Sequence, residues 1–325
     1  MELAQELIYL AIGFYFLAKG SDWLVEGSSV VAKRMGVRQL VVGLTVVAWG
    51  TSAPEVVVSS LAAIEDDVGI SMGNVLGSNV ANIGLVLGVS ALILPDVLHG
   101  ALGRRETFWL IASVAIFWWA SSDYEVDRAD AAILLGCVTL YNLQLLWEAR
   151  QFSVGRKDRP ALEGNWLARN PSALMILGGL AIAGAAWLTL EGAQGLARRA
   201  GLSNSVIGLT VVAIGTSLPE LAAGVSGALK GHSDISIGNV VGSNVFNVLA
   251  VVGAVALIHP FGGQAEPEIA SVLERMVSVD FPIVMGFSAA AILIPAFGGE
   301  RGGRLKGALL LAAYLSYMLL TVLTA

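Results

Sequence analysis

The stretch from residue 43 to residue 82, GLTVVAWGTSAPEVVVSSLAAIEDDVGISMGNVLGSNVAN, occurs a second time at 208 to 247 as GLTVVAIGTSLPELAAGVSGALKGHSDISIGNVVGSNVFN. The copies align at a constant offset of 165 without a gap, and 22 of 40 positions are identical. Nearly all identities fall in two blocks, Gly43 to Glu55 and Ile70 to Asn82. Each copy sets an acid among hydroxyl side chains inside an apolar run: Glu55 beside Thr51 and Ser52, Glu220 beside Thr216 and Ser217. A charged residue at the centre of a membrane helix costs roughly 2.5–3.5 kcal/mol even on lenient insertion scales, so it marks a functional site by default.

Composition places these blocks in a bilayer. Hydrophobic residues make up 56% of the chain and charged residues 14%, against about 25% charged in a soluble domain, and mean hydropathy is +0.75. A net charge of −6 argues against nucleic acid as a partner, and the single cysteine, Cys137, excludes an internal disulfide. The first apolar run carries Lys19, Asp22 and Glu26 without a small-residue cleavage site, and reads as a retained span rather than a signal peptide.

Counting apolar runs of about 20 residues as spans gives an all-α membrane protein of ten helices, near 6–30, 39–63, 70–95, 106–121, 129–148, 172–196, 204–228, 235–258, 276–297 and 305–324. Repeat-equivalent residues extend beyond the blocks, as in Glu26 and Glu191, Gly36 and Gly201, and Pro95 and Pro260. Since the offset covers five spans, an odd number, the second half enters the membrane in the opposite sense. Residues 1–149 and 171–325 are then two inverted five-helix repeats joined by a polar linker at 150–170, an architecture that puts a binding site near the midplane. Of the 19 Lys and Arg residues, 14 fall in loops on one face, four (Arg128, Arg198, Arg199 and Arg275) on the other, and Lys19 lies within a span. The positive-inside rule makes the first face cytoplasmic, in a multi-pass protein of the cytoplasmic membrane with both termini outside.

Within each block, Pro54 and Pro219 remove an N–H and displace the carbonyl of Gly50 or Gly215 four residues back. A broken membrane helix needs protein or a water-filled cavity to satisfy its backbone. Thr51, Ser52 and Glu55 share one side of a turn, and Asn74, Ser78 and Asn82 recur every four residues on the next helix, as do Asn239, Ser243 and Asn247 in the second copy. Gly73, Gly77, Gly238 and Gly242 are expected to let the helices approach. Two carboxylates with hydroxyl, amide and carbonyl oxygens, and no thiolate or imidazole, select a hard cation such as calcium. His99, His232 and His259 fall at expected span ends and repeat no catalytic pattern, so the chain does not read as an enzyme.

The motifs GTSAPE at 50–55 with GNVLGSNVAN at 73–82, and GTSLPE at 215–220 with GNVVGSNVFN at 238–247, resemble the cation/calcium antiporter superfamily of sodium/calcium exchangers. The resemblance implies that Glu55 and Glu220 bind calcium together with the carbonyls of Thr51 and Thr216. It further implies sodium sites from Ser52, Ser78, Ser217 and Ser243 with the carbonyls of Ala48 and Ala213, and a middle position lined by Asn82 and Asn247. Calcium and sodium are then bound as transported ions, with no resident cofactor, and the first and sixth helices slide past the bundle. Some exchangers place aspartate where this chain has Asn247. With asparagine in both copies the cavity holds two formal charges, and three sodium ions would leave one positive charge in excess. Exchange of calcium for sodium is the expectation, with a proton-coupled or potassium-accepting exchanger as the alternative.

Secondary expectations concern the remaining charges. Lys19 and Asp22, three apart, are expected to pair; Glu26 and Glu191 to lie at helix ends in water; Glu65-Asp66-Asp67 to form an outside turn; and Asp280, at the start of the ninth span, is a weaker candidate for the ion path than the acids of the blocks. The glycine-rich 178–184 stretch suits a sliding contact, and equally a static packing of small residues.

Overall fold

The computed structural model describes residues 2–65, 67–98, 102–151, 169–201, 213–262, 272–296 and 302–324. Its helices are α1 (Glu2–Met35), α2 (Gln39–Thr51), α3 (Ala53–Ile64), α4 (Val68–Ile93), α5 (Arg104–Ala120), α6 (Arg128–Gln151) and α7 (Pro171–Arg199). They continue as α8 (Ala213–Thr216), α9 (Leu218–Leu229), α10 (Ser233–Ile258), α11 (Val272–Pro295) and α12 (Gly303–Thr324). Two two-residue strands, β1 (Glu125–Val126) and β2 (Phe261–Gly262), pair antiparallel and tie two interhelical connections together. Among the described residues five helices, α4, α6, α7, α10 and α11, are long and apolar enough to cross a bilayer, and a sixth crossing forms if α2 and α3 are one bent span. The start of the expected seventh span and most of the 150–170 linker lie outside the described residues.

The duplication is visible in the backbone. α3 and α9 begin and end at repeat-equivalent residues, as do the first segments of α4 and α10, Val68–Ala81 and Ser233–Phe246. The hinge residues Ser52 (φ −86°, ψ 7°) and Ser217 (φ −87°, ψ 2°) share one non-helical conformation. α1 and α7 both stop at a glycine with positive φ, Gly36 at +67° and Gly201 at +80°, a conformation that glycine adopts without the Cβ clash.

α4 and α10 form the centre: 72% and 78% of their apolar windows are buried, against 22–33% for α6, α7 and α11, whose apolar faces are left for lipid. Gly238 and Gly242 bring α10 onto α2, since a Cβ on Gly242 would stand 2.6 Å from the Leu44 carbonyl oxygen. A Cβ on Gly73 or Gly77 would meet nothing within 4 Å among the described residues; positions 205 and 209, equivalent to Leu40 and Leu44, lie outside the described part.

α1 and α7 run antiparallel in backbone contact. A Cβ on Gly27 would meet the Pro171 carbonyl oxygen at 2.7 Å, and one on Gly178 the Leu24 nitrogen at 2.5 Å. Of the 178–184 glycines only Gly178 makes such a contact among the described residues. Asp22 does not take Lys19 as its partner. Packing of α1 along α9 brings Lys230 within 3.5 Å and the Ser226 hydroxyl within 2.8 Å of Asp22 Oδ1, and these groups compete better than a neighbour on the same helix. Asp280 stands apart from the acids of the repeated blocks, since its charged and polar neighbours are Arg275 and Tyr317.

Candidate cation site

Proline places each acid. Pro54 and Pro219 stand in the first turns of α3 and α9, where a missing N–H costs nothing, and Glu55 and Glu220 follow in the same turns. There the uncompensated backbone N–H groups give the helix end a partial positive charge that favours a carboxylate. The chain before α3 turns by 44° about Ser52, so Thr51 and Ser52 end one helix as Glu55 starts the next. Asn82 and Asn247 each open a π-helical turn in α4 and α10, a local widening that recurs at functional sites.

These side chains converge across the two copies. Ser52 Oγ donates to Glu220 Oε1 at 2.8 Å, and Ser243 Oγ lies 3.4 Å from the same oxygen. Thr51 Oγ1 donates to Asn239 Oδ1 at 3.1 Å, and the mirror contact runs from Thr216 Oγ1 to Asn74 Oδ1 at 2.9 Å. Asn247 Nδ2 donates to Ser78 Oγ at 3.0 Å. Glu55, Glu220, Thr51, Ser52, Ser78, Ser243, Asn82, Asn247, Thr216 and Ser217 are all 2% exposed or less, deep enough that water contributes little. Ala48 is buried beside them, but its carbonyl accepts the Ser52 N–H at 3.0 Å and has Thr51 Oγ1 at 3.3 Å. It is therefore not one of the oxygens freed by the hinge, since Pro54 displaces the carbonyl of Gly50. Ala213 opens α8.

What this cluster leaves unpaired defines its chemistry. Both oxygens of Glu55, Oε2 of Glu220, Oγ of Ser217, both amide atoms of Asn82 and Oδ1 of Asn247 are buried without a hydrogen-bond partner. A buried carboxylate oxygen lacking a partner is expensive, so the three on Glu55 and Glu220, beside orphaned hydroxyl and amide oxygens, fit a cation. Among the described residues no cluster of three or more His, Cys, Asp or Glu side chains exists to hold a transition metal.

Two pairs of asparagines do work that their spacing did not reveal. Asn74 and Asn239 were expected only as cavity oxygens, yet they bracket the threonines of the opposite copy, and their amides reach Ser59 Oγ at 3.0 Å and the Glu220 carbonyl at 3.3 Å. Asn79 and Asn244 exchange reciprocal bonds, each amide donating to the other's main-chain oxygen at 3.3 and 3.2 Å. Their only signal in sequence is identity between the copies, because a contact across 165 residues has no periodicity.

Long apolar helices around a buried, doubly acidic centre lined by oxygen define a multi-pass membrane protein built to carry hard cations. The chain belongs to the sodium/calcium exchanger family, whose model, described as sodium/calcium exchanger protein, matches residues 6–147 and 171–323. It is 31% identical over 355 residues to the sodium/calcium exchanger MaX1 of Methanosarcina acetivorans, covering 97% of this chain and 98% of that one. It is 32% identical over 322 residues to the inner membrane protein YrbG of Escherichia coli, covering 95% and 94%. Among solved structures it is similar to the sodium-calcium exchanger NCX_Mj soaked with Na+ and Sr2+, with a TM-score of 0.77, 28% identity and coverage of 96% and 97%. The protein is thus a cation/calcium antiporter and a transporter rather than an enzyme.

Proposed function

We propose that this antiporter exchanges calcium for sodium across the cytoplasmic membrane by alternating access. In this reading ten spans form two inverted five-helix repeats, residues 1–149 and 171–325, with the 150–170 linker on the cytoplasmic side and both termini outside. The reciprocal contacts between α4 and α10 support the inversion, since an exchange of like bonds is what a two-fold axis produces. The ion pairs support the sidedness. Glu6 with Arg199 joins residues assigned outside, whereas Arg105 with Glu148 and Glu26 with Lys230 join residues assigned inside.

The observation that carries the reading is the set of buried oxygens on Glu55 and Glu220 that no protein donor satisfies. One calcium ion neutralises both acids and takes 6–8 oxygens at flexible geometry, with the main-chain oxygens of Thr51 and Thr216 completing its shell. Sodium ions on Ser52, Ser78, Ser217 and Ser243, with the carbonyls of Ala48 and Ala213 and the middle position at Asn82 and Asn247, draw on the same two carboxylates. The two cations therefore exclude each other, and that exclusion enforces exchange. For sodium to use the Ala48 carbonyl, Thr51 Oγ1 must turn away from it. The name of MaX1, a sodium/calcium exchanger, agrees with this choice of cations.

The test is calcium-45 uptake into proteoliposomes loaded with sodium, potassium or choline. Uptake from sodium-loaded vesicles alone, lost in Glu55→Gln, is the expected result. Equal uptake from all three removes sodium as the required counter-ion. A second reading rests on the asparagines at 82 and 247, which leave the cavity two formal charges. A proton-coupled exchanger would move calcium in sodium-free buffer when a pH gradient is imposed.

A further inference from the structure

An antiporter opens its acids to one face at a time, so a contact that holds one face shut biases the cycle. α1 and α7 are locked together through glycine backbone contacts and must move as a pair relative to the helices bearing the acids. Their seats on those helices differ. α1 lies along α9, whose first turn holds Glu220, whereas α7 only grazes α3, whose first turn holds Glu55.

The α1–α9 seat is fastened at the end of α9 remote from Glu220. Lys230 Nζ donates to the Asp22 main-chain oxygen at 3.1 Å and stands 3.5 Å from Asp22 Oδ1 and 3.3 Å from Glu26 Oε2. One turn earlier, Ser226 Oγ donates to Asp22 Oδ1 at 2.8 Å. At the constant offset of 165 the equivalents are Glu65 for Lys230, Leu61 for Ser226, Trp187 for Asp22 and Glu191 for Glu26. The attractive pair of one face is thus replaced on the other by two exposed carboxylates, with no hydroxyl to bridge them.

We propose that Lys230, assisted by Ser226, is a latch that holds the α1–α7 pair against α9 and closes the ion path on its own face, while Glu65 and Glu191 favour opening of the opposite face. Lys230 is a positioning residue: it acts through α1 and touches no ion. The proposal rests on the alternating-access reading given above.

The test is calcium-45 self-exchange in sealed vesicles sorted by orientation and held in choline buffer, with the half-saturating calcium concentration measured on each face. Self-exchange needs no sodium, so the identity of the counter-ion does not enter. Lys230→Gln is expected to lower the half-saturating concentration on the Lys230 face and raise it on the other, by about two- to fivefold each, the range for partly exposed ion pairs. Lys230→Arg should restore both values. Glu26→Gln, which removes one partner at the surface and leaves Ser226 and Asp22 in place, should lower the value on the Lys230 face and raise it on the other, as Lys230→Gln does but by less, and carries the test if Lys230→Gln does not reach the membrane. Half-saturation that is unmoved, or that moves in one direction on both faces, overturns the latch alone. Absence of self-exchange in the unsubstituted protein overturns the alternating-access reading, and the latch with it.

Discussion

Glu55 and Glu220 hold the same position in the same hinge of two near-identical segments, yet one is bracketed and the other bare. Glu220 Oε1 has the hydroxyls of Ser52 and Ser243 within 2.8 and 3.4 Å, whereas both oxygens of Glu55 lack a partner. The serines equivalent to those donors, Ser217 and Ser78, are present in sequence but are not turned to Glu55. Ser217 Oγ is unpartnered, and Ser78 donates to the Val75 carbonyl at 3.0 Å while accepting from Asn247. The copies therefore share a backbone and differ in how the rest of the chain seats against them. Conformation, rather than local sequence, makes the site asymmetric.

The largest effect should come from the acids themselves. Glu55→Gln and Glu220→Gln should each lower calcium exchange by about 100-fold or more, the order expected when a buried charge loses its partner. The two variants should differ in the ion-free protein. Glu55→Gln removes a bare charge and should keep or raise the melting temperature, whereas Glu220→Gln weakens two hydrogen bonds and should lower it. Exchange at the parental rate in either variant would break the shared-site reading, and equal melting temperatures would break the asymmetry.

The serines sharpen the contrast. Ser52→Ala removes a hydrogen bond to a carboxylate and should cost about 1.5–3 kcal/mol of ion-free stability, whereas Ser217→Ala removes no bond and should cost less than about 1 kcal/mol. Denaturation in a calcium- and sodium-free detergent buffer measures both, and a reversed ranking would contradict the arrangement seen here.

A charge added at the middle position should act more gently. Asn82→Asp disturbs no existing bond, while Asn247→Asp loses the donor to Ser78. Both should shift the half-activating sodium concentration by roughly fivefold, the scale of an interaction near 1 kcal/mol, and Asn247→Asp should in addition lower stability. Unchanged sodium dependence in Asn247→Asp would place that residue outside the sodium path.

The smallest effect concerns His232, the repeat equivalent of Asp67. Asp67 caps its helix, accepting from the Ile70 N–H at 2.9 Å, whereas His232 makes no such bond. Burial, reinforced by Lys33 and Lys230 and opposed by Glu26, holds the imidazole below its ordinary value of 6.5. The unfolded chain therefore binds this proton more readily. The contribution of His232 to stability is constant above pH 6.5 and falls as pH drops through the window below it. Lys230→Gln should move the His232 titration back toward its ordinary value, read from its ring-proton chemical shift, and no movement would separate Lys230 from this corner.

Much of the site could be read from the chain because the relevant spacings are local. Pro54 and Pro219 announce the hinges, and a period of four along α4 and α10 lines up Asn74, Ser78 and Asn82 with their equivalents. Apolar length likewise announces membrane helices, although among the described residues only some of the expected spans meet the length and apolarity of a crossing by themselves. The sequence alone did not reveal that Asn74 and Asn239 would bracket threonines of the opposite copy, or that Asp22 would turn from Lys19 to Lys230.

By itself, the sequence determined a duplicated, membrane-embedded pair of acids, the turns that carry them and the oxygen chemistry around them, because helical periodicity and proline geometry act within a few residues. Only the tertiary structure decided which serine serves which acid, which asparagines cross the interface between the copies, and which face Lys230 fastens. Apart from Ser243 to Glu220, 23 positions apart, those contacts join residues 142 to 208 positions apart, and their geometry is set by how α1, α7, α9 and α10 pack rather than by any pattern along the chain.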